Sequence, residues 1–140
     1  MSARGHRDVS ATPLPTKLGV REGSRVLVVG PPSGFSLAPL PGGVEIATRA
    51  RGRLDVILFF TRRRSELLRR FATLARALDP AGRLWVAWPK RSSDLQTDLT
   101  FGDVQRIGLD GGLVDNKSAS IDEAYQGVQF VVRLRDRPRV

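Results

Sequence analysis

The residues best suited to chemistry fall in three short segments. Ser33 and Gly34 lie in GPPSGF, Thr61 and Arg62 in FFTRRR, and Trp88, Lys90 and Arg91 in AWPKR. Hydroxyls, a small turn residue and cations suit a phosphate or carboxylate, because guanidinium and ammonium groups make charge-assisted hydrogen bonds to oxyanions. Trp88, nearest its strand end, could stack on a ligand base. The competing reading is a solvated rim of loop ends. A denser group follows in Asp115, Lys117, Asp122, Glu123 and Tyr125. An acid/base pair, an Asp115–Lys117 ion pair across a hairpin, and an Asx-type turn with Tyr125 packed on it all account for this group.

A third group is purely cationic. Between Arg49 and Arg76 stand nine arginines against only Asp55 and Glu66. Helical spacing puts Arg69, Arg70 and Arg76 on one side, with Arg49, Arg51 and Arg53 nearby, a pattern able to meet RNA or DNA phosphates. A solvated helix face covers the same facts. The aromatic interleaving of a single-strand platform is missing, since Phe71 belongs to the apolar stripe.

What the chain lacks narrows the chemistry further. There is no cysteine, and the one histidine, His6, sits in a polar N-terminal stretch. Disulfides, thiolate metal sites, cysteine nucleophiles and histidine relays are excluded, and no metal is expected. An enzyme built from this chain would rely on carboxylates, lysine, tyrosine or a cofactor. The net charge of +9 points toward anionic partners. Only Lys17, Lys90 and Lys117 are lysines, however, and a GC-rich coding sequence also produces so arginine-heavy a chain. From Leu99 to Phe130 the sign reverses, with Arg106 and Lys117 against five carboxylates.

These residues need elements to hold them. At 140 residues the chain has the size of one domain. Residues 1–12 read as a flexible tail, 13–134 as a single α/β domain and 135–140 as a loose basic tail. A short helix fits Pro13 to Val20, ended by Gly19. RVLVV (Arg25–Val29) and LDVILFF (Leu54–Phe60) are continuous apolar runs, as in strands covered on both faces. A short strand fits Val44 to Ala47. Leu67, Leu68, Phe71, Leu74, Ala75 and Leu78 make one apolar helical stripe, capped by Ser65 or Thr61 and ended by the turn Asp79–Gly82. In Arg83–Trp88 both faces are apolar, which makes that strand central. A polar loop spans residues 90–99, and a modest helix follows from Phe101 to Leu109. Leu113–Ile121 and Val128–Leu134 close the chain as two strands about the turn Asp122–Gly127. The second of them alternates like a half-exposed strand, which leaves dimerisation open. Strand, crossover helix, strand predicts a Rossmann-like three-layer α/β domain, its sheet mostly parallel with a C-terminal antiparallel pair.

The order LGVREGSRVLVVG, LDVILFF, LDPAGRLWVAW resembles the first, fourth and fifth strands of S-adenosylmethionine-dependent methyltransferases. VGPPSGF, LWVAWPK, TDLT, GLVD-K and DEAYQG resemble, more closely, a bacterial family of small proteins, a domain of unknown function without an assigned activity. The departures from the enzymes are specific. Pro31 and Pro32 follow Gly30 where the cofactor loop is glycine-rich, and proline offers no N–H. Glu45 sits inside the second strand rather than at its end. Thr61-Arg62-Arg63-Arg64 replaces a substrate-binding acid or an Asn-Pro-Pro motif. The expectation is therefore a reduced, non-catalytic module that takes no cofactor and binds a small anionic ligand or a partner protein at Ser33, Gly34, Thr61, Arg62, Trp88 and Lys90. The alternatives are a minimal methyltransferase still admitting S-adenosylmethionine, and a basic RNA- or DNA-binding protein. No apolar run approaches a membrane span and no signal segment opens the chain, so the expected location is the cytoplasm.

Overall fold

A computed structural model describes residues 12–138. The sheet grows from the apolar runs. Strands β1 (Arg25–Val29), β2 (Glu45–Ile46), β3 (Leu54–Phe60) and β4 (Leu78–Pro89) are parallel, and β5 (Leu113–Ser120) and β6 (Tyr125–Val132) close it as an antiparallel pair. Their order is β2-β1-β3-β4-β6-β5, which puts β3 and β4 in the middle as their two-sided hydrophobicity requires. This is the Rossmann-like α/β domain expected.

Alternation along the strands sorts two cores. Leu84, Val86 and Trp88 pack with Leu67, Phe71 and Leu74 of helix α2 (Arg64–Arg76) and with Val104 and Ile107 of α3 (Phe101–Asp110). Trp85 and Ala87 face the other way, onto Leu18 of α1 (Leu14–Leu18) and Leu37 of the loop between β1 and β2. The Trp85 indole donates to the Leu18 carbonyl at 3.1 Å and so fastens α1 to that face. Gly19, at φ 90°, ends α1 in the left-handed conformation that glycine adopts without strain.

Four expectations need correction. Neither Ser65 nor Thr61 caps α2. The flanking residue is Arg63, and the Arg64 amide is satisfied by Asp98 Oδ1 at 2.7 Å, from 34 residues away. Asp79–Gly82 is not a turn between helix and strand. The helix already stops at Arg76, and the register jumps from Leu54↔Leu78 to Val56↔Arg83, so these residues bulge from a strand that starts at Leu78. The C-terminal turn is shorter than expected, because β6 starts at Tyr125 rather than Val128. Nor is β6 half-exposed: it lies between β4 and β5, and its alternation separates two covered faces, leaving β5 as the edge.

The N-terminal tail and His6 lie outside the described residues, apart from position 12. At the other end, Leu134–Asp136 form a 3-10 turn and Arg137 Nε donates to the Val132 carbonyl at 3.2 Å.

Candidate functional site

In open parallel sheets, ligands bind beyond the carboxyl ends of the strands. Here those ends carry a cleft of about 660 Å³, lined by Gly30 after β1, Phe60 and Thr61 closing β3, Arg62 and Arg63, the first turns of α2, residues 96–98 and Tyr125. That volume lies within the roughly 300–1,000 Å³ of small-molecule sites.

Each wall has a local cause. Gly30 adopts φ 65°, and a Cβ there would stand 3.0 Å from the Phe60 carbonyl oxygen, so only glycine lets β1 turn away so close to β3. Gly34, four residues on, is also left-handed (φ 81°), and nothing lies within 4 Å of where its Cβ would be. The Thr61 hydroxyl donates to Glu66 Oε1 at 2.5 Å. Residues 96–98 are strapped to the same corner. Arg62 Nε donates to the Gln96 carbonyl at 2.8 Å, the Thr97 hydroxyl donates to the Arg62 carbonyl at 2.8 Å, and Asp98 caps α2. Both carboxylates of the cleft are thus committed to protein hydrogen bonds. Arg62, Arg63 and Arg69 are exposed, and no carboxylate lies within ion-pairing distance of them among the described residues.

Tyr125 opens β6 from beneath the cleft. Its ring packs edge-on against Phe60, which meets Phe35 of the β1–β2 loop in the same way. Burial pushes its phenol above the usual tyrosine value, Arg62 pulls it down and Asp122 adds to the rise. The group therefore carries its proton at neutral pH and can donate a hydrogen bond.

The expected anion-site residues do not all meet. Thr61 and Arg62 line the cleft, whereas Ser33 and Gly34 sit exposed on the loop beyond it. Trp88 is only 2% exposed and lines, with Lys90, a separate cavity of about 310 Å³ beside Phe101 and the β5–β6 pair. Lys90 is tied there, its ammonium donating to Ser120 Oγ at 2.7 Å. The acidic turn is an Asx turn, with Asp122 Oδ1 accepting from the Ala124 and Tyr125 amides at 2.8 and 2.7 Å. Asp115 and Lys117 do not pair: Asp115 accepts from Gln105 and Lys117 donates to the Lys17 carbonyl. Arg69 and Arg76 point outward from α2, but Arg70 is half-buried over the Phe59 ring, 5.7 Å from its centroid.

Gln96, Thr97 and Asp98 lie in the segment read as a polar loop, the last two also in the TDLT motif, and no local signal links them to Arg62. Tyr125 was singled out, though its place in the cleft was not. Among the described residues no helix is long and apolar enough to cross a membrane, and no group of three or more histidine, cysteine or carboxylate residues could hold a metal ion.

The turn and the cleft fit an adenosyl cofactor at one end. Gly34 leaves main chain that a ligand can approach closely, and the cleft that Gly30 borders is large enough for one. The ribose end differs from the methyltransferase pattern, because Glu45 stands beside the first residue of β1 and pairs with Arg25 at 3.5 Å, away from the carboxyl edge.

No family model and no curated protein matches the chain. Solved structures do. The chain is similar to an S-adenosylmethionine-dependent methyltransferase from Aquifex aeolicus, with a TM-score of 0.61 and 16% identity over 84% of this chain and 87% of that one. It is similar to magnesium protoporphyrin IX methyltransferase from Synechocystis PCC 6803 with bound S-adenosylmethionine, at a TM-score of 0.60 and 13% identity, covering 90% and 77% of the two chains. A third is the fibrillarin pre-rRNA processing protein of Methanococcus jannaschii, at a TM-score of 0.56 and 14% identity over 87% and 69%. The chain has the methyltransferase-like Rossmann fold. The expectation of a cofactor-free domain is corrected here, since a protein that shares this fold across nine-tenths of the chain holds S-adenosylmethionine. That expectation rested on Pro31 and Pro32, which offer no N–H, whereas Ser33 and Gly34 beyond them leave main chain exposed.

Proposed function

We propose that this chain binds S-adenosylmethionine at the carboxyl ends of β1 and β3 and is a small methyltransferase. The observation that carries the reading is the cleft over Phe60 and Thr61, bordered by Gly30 at the start of a loop whose main chain is exposed at Ser33 and Gly34. The fold shared with methyltransferases, one of them holding this cofactor, supports it and favours a catalytic domain over a non-catalytic one. When bound, the cofactor supplies an electrophilic methyl group on a sulfonium.

The chain's own residues would do the rest. Main chain at Gly34 would receive the cofactor without a side chain intervening, while Gly30, whose missing Cβ leaves room for the Phe60 carbonyl, would set the angle at which the loop leaves β1. Arg62 retains guanidinium N–H groups beyond the one given to Gln96, and these suit a carboxylate. The Thr61–Glu66 bond and the Asp98 cap hold the rim of the cleft in one geometry. Tyr125 presents a protonated phenol that makes no hydrogen bond to any described residue, so it is available to orient an acceptor. Such positioning is a large part of what an enzyme contributes to a bimolecular displacement.

The test is thermal denaturation with S-adenosylmethionine and S-adenosylhomocysteine. At about 100 times the dissociation constant a ligand adds roughly 2.7 kcal/mol, a shift of several degrees for a chain of this size. No shift with either compound would contradict the proposal.

A further inference from the structure

The arginines at the cleft mouth belong to a longer row. Arg69 and Arg76 are seven residues apart on α2, so they share its outward face about 10 Å from one another. Arg62 stands seven residues earlier, at the mouth itself. All three are exposed, and among the described residues the ion pairs are Arg25–Glu45, Arg53–Asp79 and Arg135–Asp136, none of which uses them. Glu66, the one carboxylate of α2, is turned to Thr61. The three arginines therefore present positive charge that no ion pair neutralises, Arg69 and Arg76 along about 10 Å of α2 and Arg62 at the mouth of a cleft of about 660 Å³.

We infer that this row binds the backbone of a single-stranded nucleic acid and delivers one of its nucleotides to the cleft. A small anion can meet only the cations at the mouth, whereas a ligand with repeated negative charge can meet Arg62, Arg69 and Arg76 together. A duplex would have to unpair to place a base in the cleft, which a single strand need not do. Arg70, packed on Phe59, takes no part in the row. That the delivered nucleotide is the methyl acceptor rests on the proposed function; the binding surface is tested without it.

The experiment is fluorescence anisotropy with labelled homopolymers of about 12 nucleotides, oligo-uridylate in one arm and oligo-thymidylate in the other, at about 50 and 200 mM salt. The full chain should bind at least one of them. The triple variant Arg62→Ala/Arg69→Ala/Arg76→Ala should bind at least tenfold more weakly, with the slope of log K against log salt reduced by about 2. Arg21→Ala/Arg106→Ala/Arg135→Ala makes the same change in net charge elsewhere on the surface and should stay within about twofold of wild type. Equal losses in the two triples would reduce the effect to net charge and overturn the inference. Absence of binding in both arms, or tighter row-dependent binding to phosphatidylserine vesicles, would also overturn it. Row-dependent binding in a protein that fails to bind S-adenosylmethionine would uphold the surface and remove the cofactor reading alone.

Discussion

The ring of Tyr125 meets that of Phe60 edge-on, 5.1 Å between centroids and 86° between planes, so the first residue of β6 and the last of β3 close the base of the cleft together. The contact buries the phenol and raises its pKa above 10.0. As pH climbs past the unfolded value of about 10, the unfolded chain gives up this proton while the folded chain keeps it. The contribution to stability is therefore complete below about pH 10 and is lost as pH rises through the folded value. Tyr125 is the only tyrosine, so phenolate absorbance reports it alone. The native midpoint should lie above 10.0 and fall back in denaturant, and Tyr125→Phe should remove this phase of the alkaline stability loss. A native midpoint at or below 10.0 would contradict the burial account.

Two glycines of α3 should respond in opposite directions to alanine. A Cβ at Gly108 would run into the ring of Phe130, which is itself held edge-on by Phe71 at 5.7 Å. Overpacking there should cost about 1–3 kcal/mol in urea denaturation. Gly102, in the first turn, has only Thr100 Oγ1 nearby, at 3.8 Å. Gly102→Ala should be neutral or stabilising by up to about 1 kcal/mol.

Asp98 joins the 90–100 loop to α2 through the Arg64 amide. Asp98→Ala should lower stability by about 0.5–2 kcal/mol, the range for a lost N-terminal cap. Asp98→Asn keeps an acceptor oxygen and should recover most of the loss in thermal denaturation. Equal losses in both variants would mean that the cap is not what Asp98 contributes.

Trp85 is fully buried, and its indole N–H satisfies the Leu18 carbonyl. Trp85→Phe leaves that carbonyl without its donor and should cost about 1–3 kcal/mol. Amide exchange should quicken in α1 before it does in β3, because the lost bond is the one that fastens α1 to the sheet.

The strands and helices were legible because their apolar residues repeat with a local period. Leu84, Val86 and Trp88 against Trp85 and Ala87 already assigned β4 its two faces and its central place. Three features had no such local signature. The cap on α2 comes from Asp98, brought there by a loop whose sequence is merely polar. The position of β6 inside the sheet follows from strand order, to which alternation is blind, since separating two covered faces looks the same as separating core from solvent. The expected anion site pooled loop ends from β1, β3 and β4, but Lys90 is drawn to Ser120 on β5 and leaves the others. The sequence marks Gly30 and Gly34 around Pro31 and Pro32, but not the positive φ angles with which both shape the loop.

Isothermal titration calorimetry of S-adenosylmethionine into the full chain, with Gly34→Val in parallel, tests the central claim most directly. The Gly34 site has room for a Cβ but holds φ at 81°, so valine would both strain the turn and cover its exposed main chain. The account predicts saturable one-to-one binding by the wild-type chain, weakened at least tenfold in Gly34→Val while the variant still melts cooperatively. Wild-type protein that gives no heat of binding and no competition with S-adenosylhomocysteine, or a Gly34→Val variant that binds as well as wild type, would contradict it.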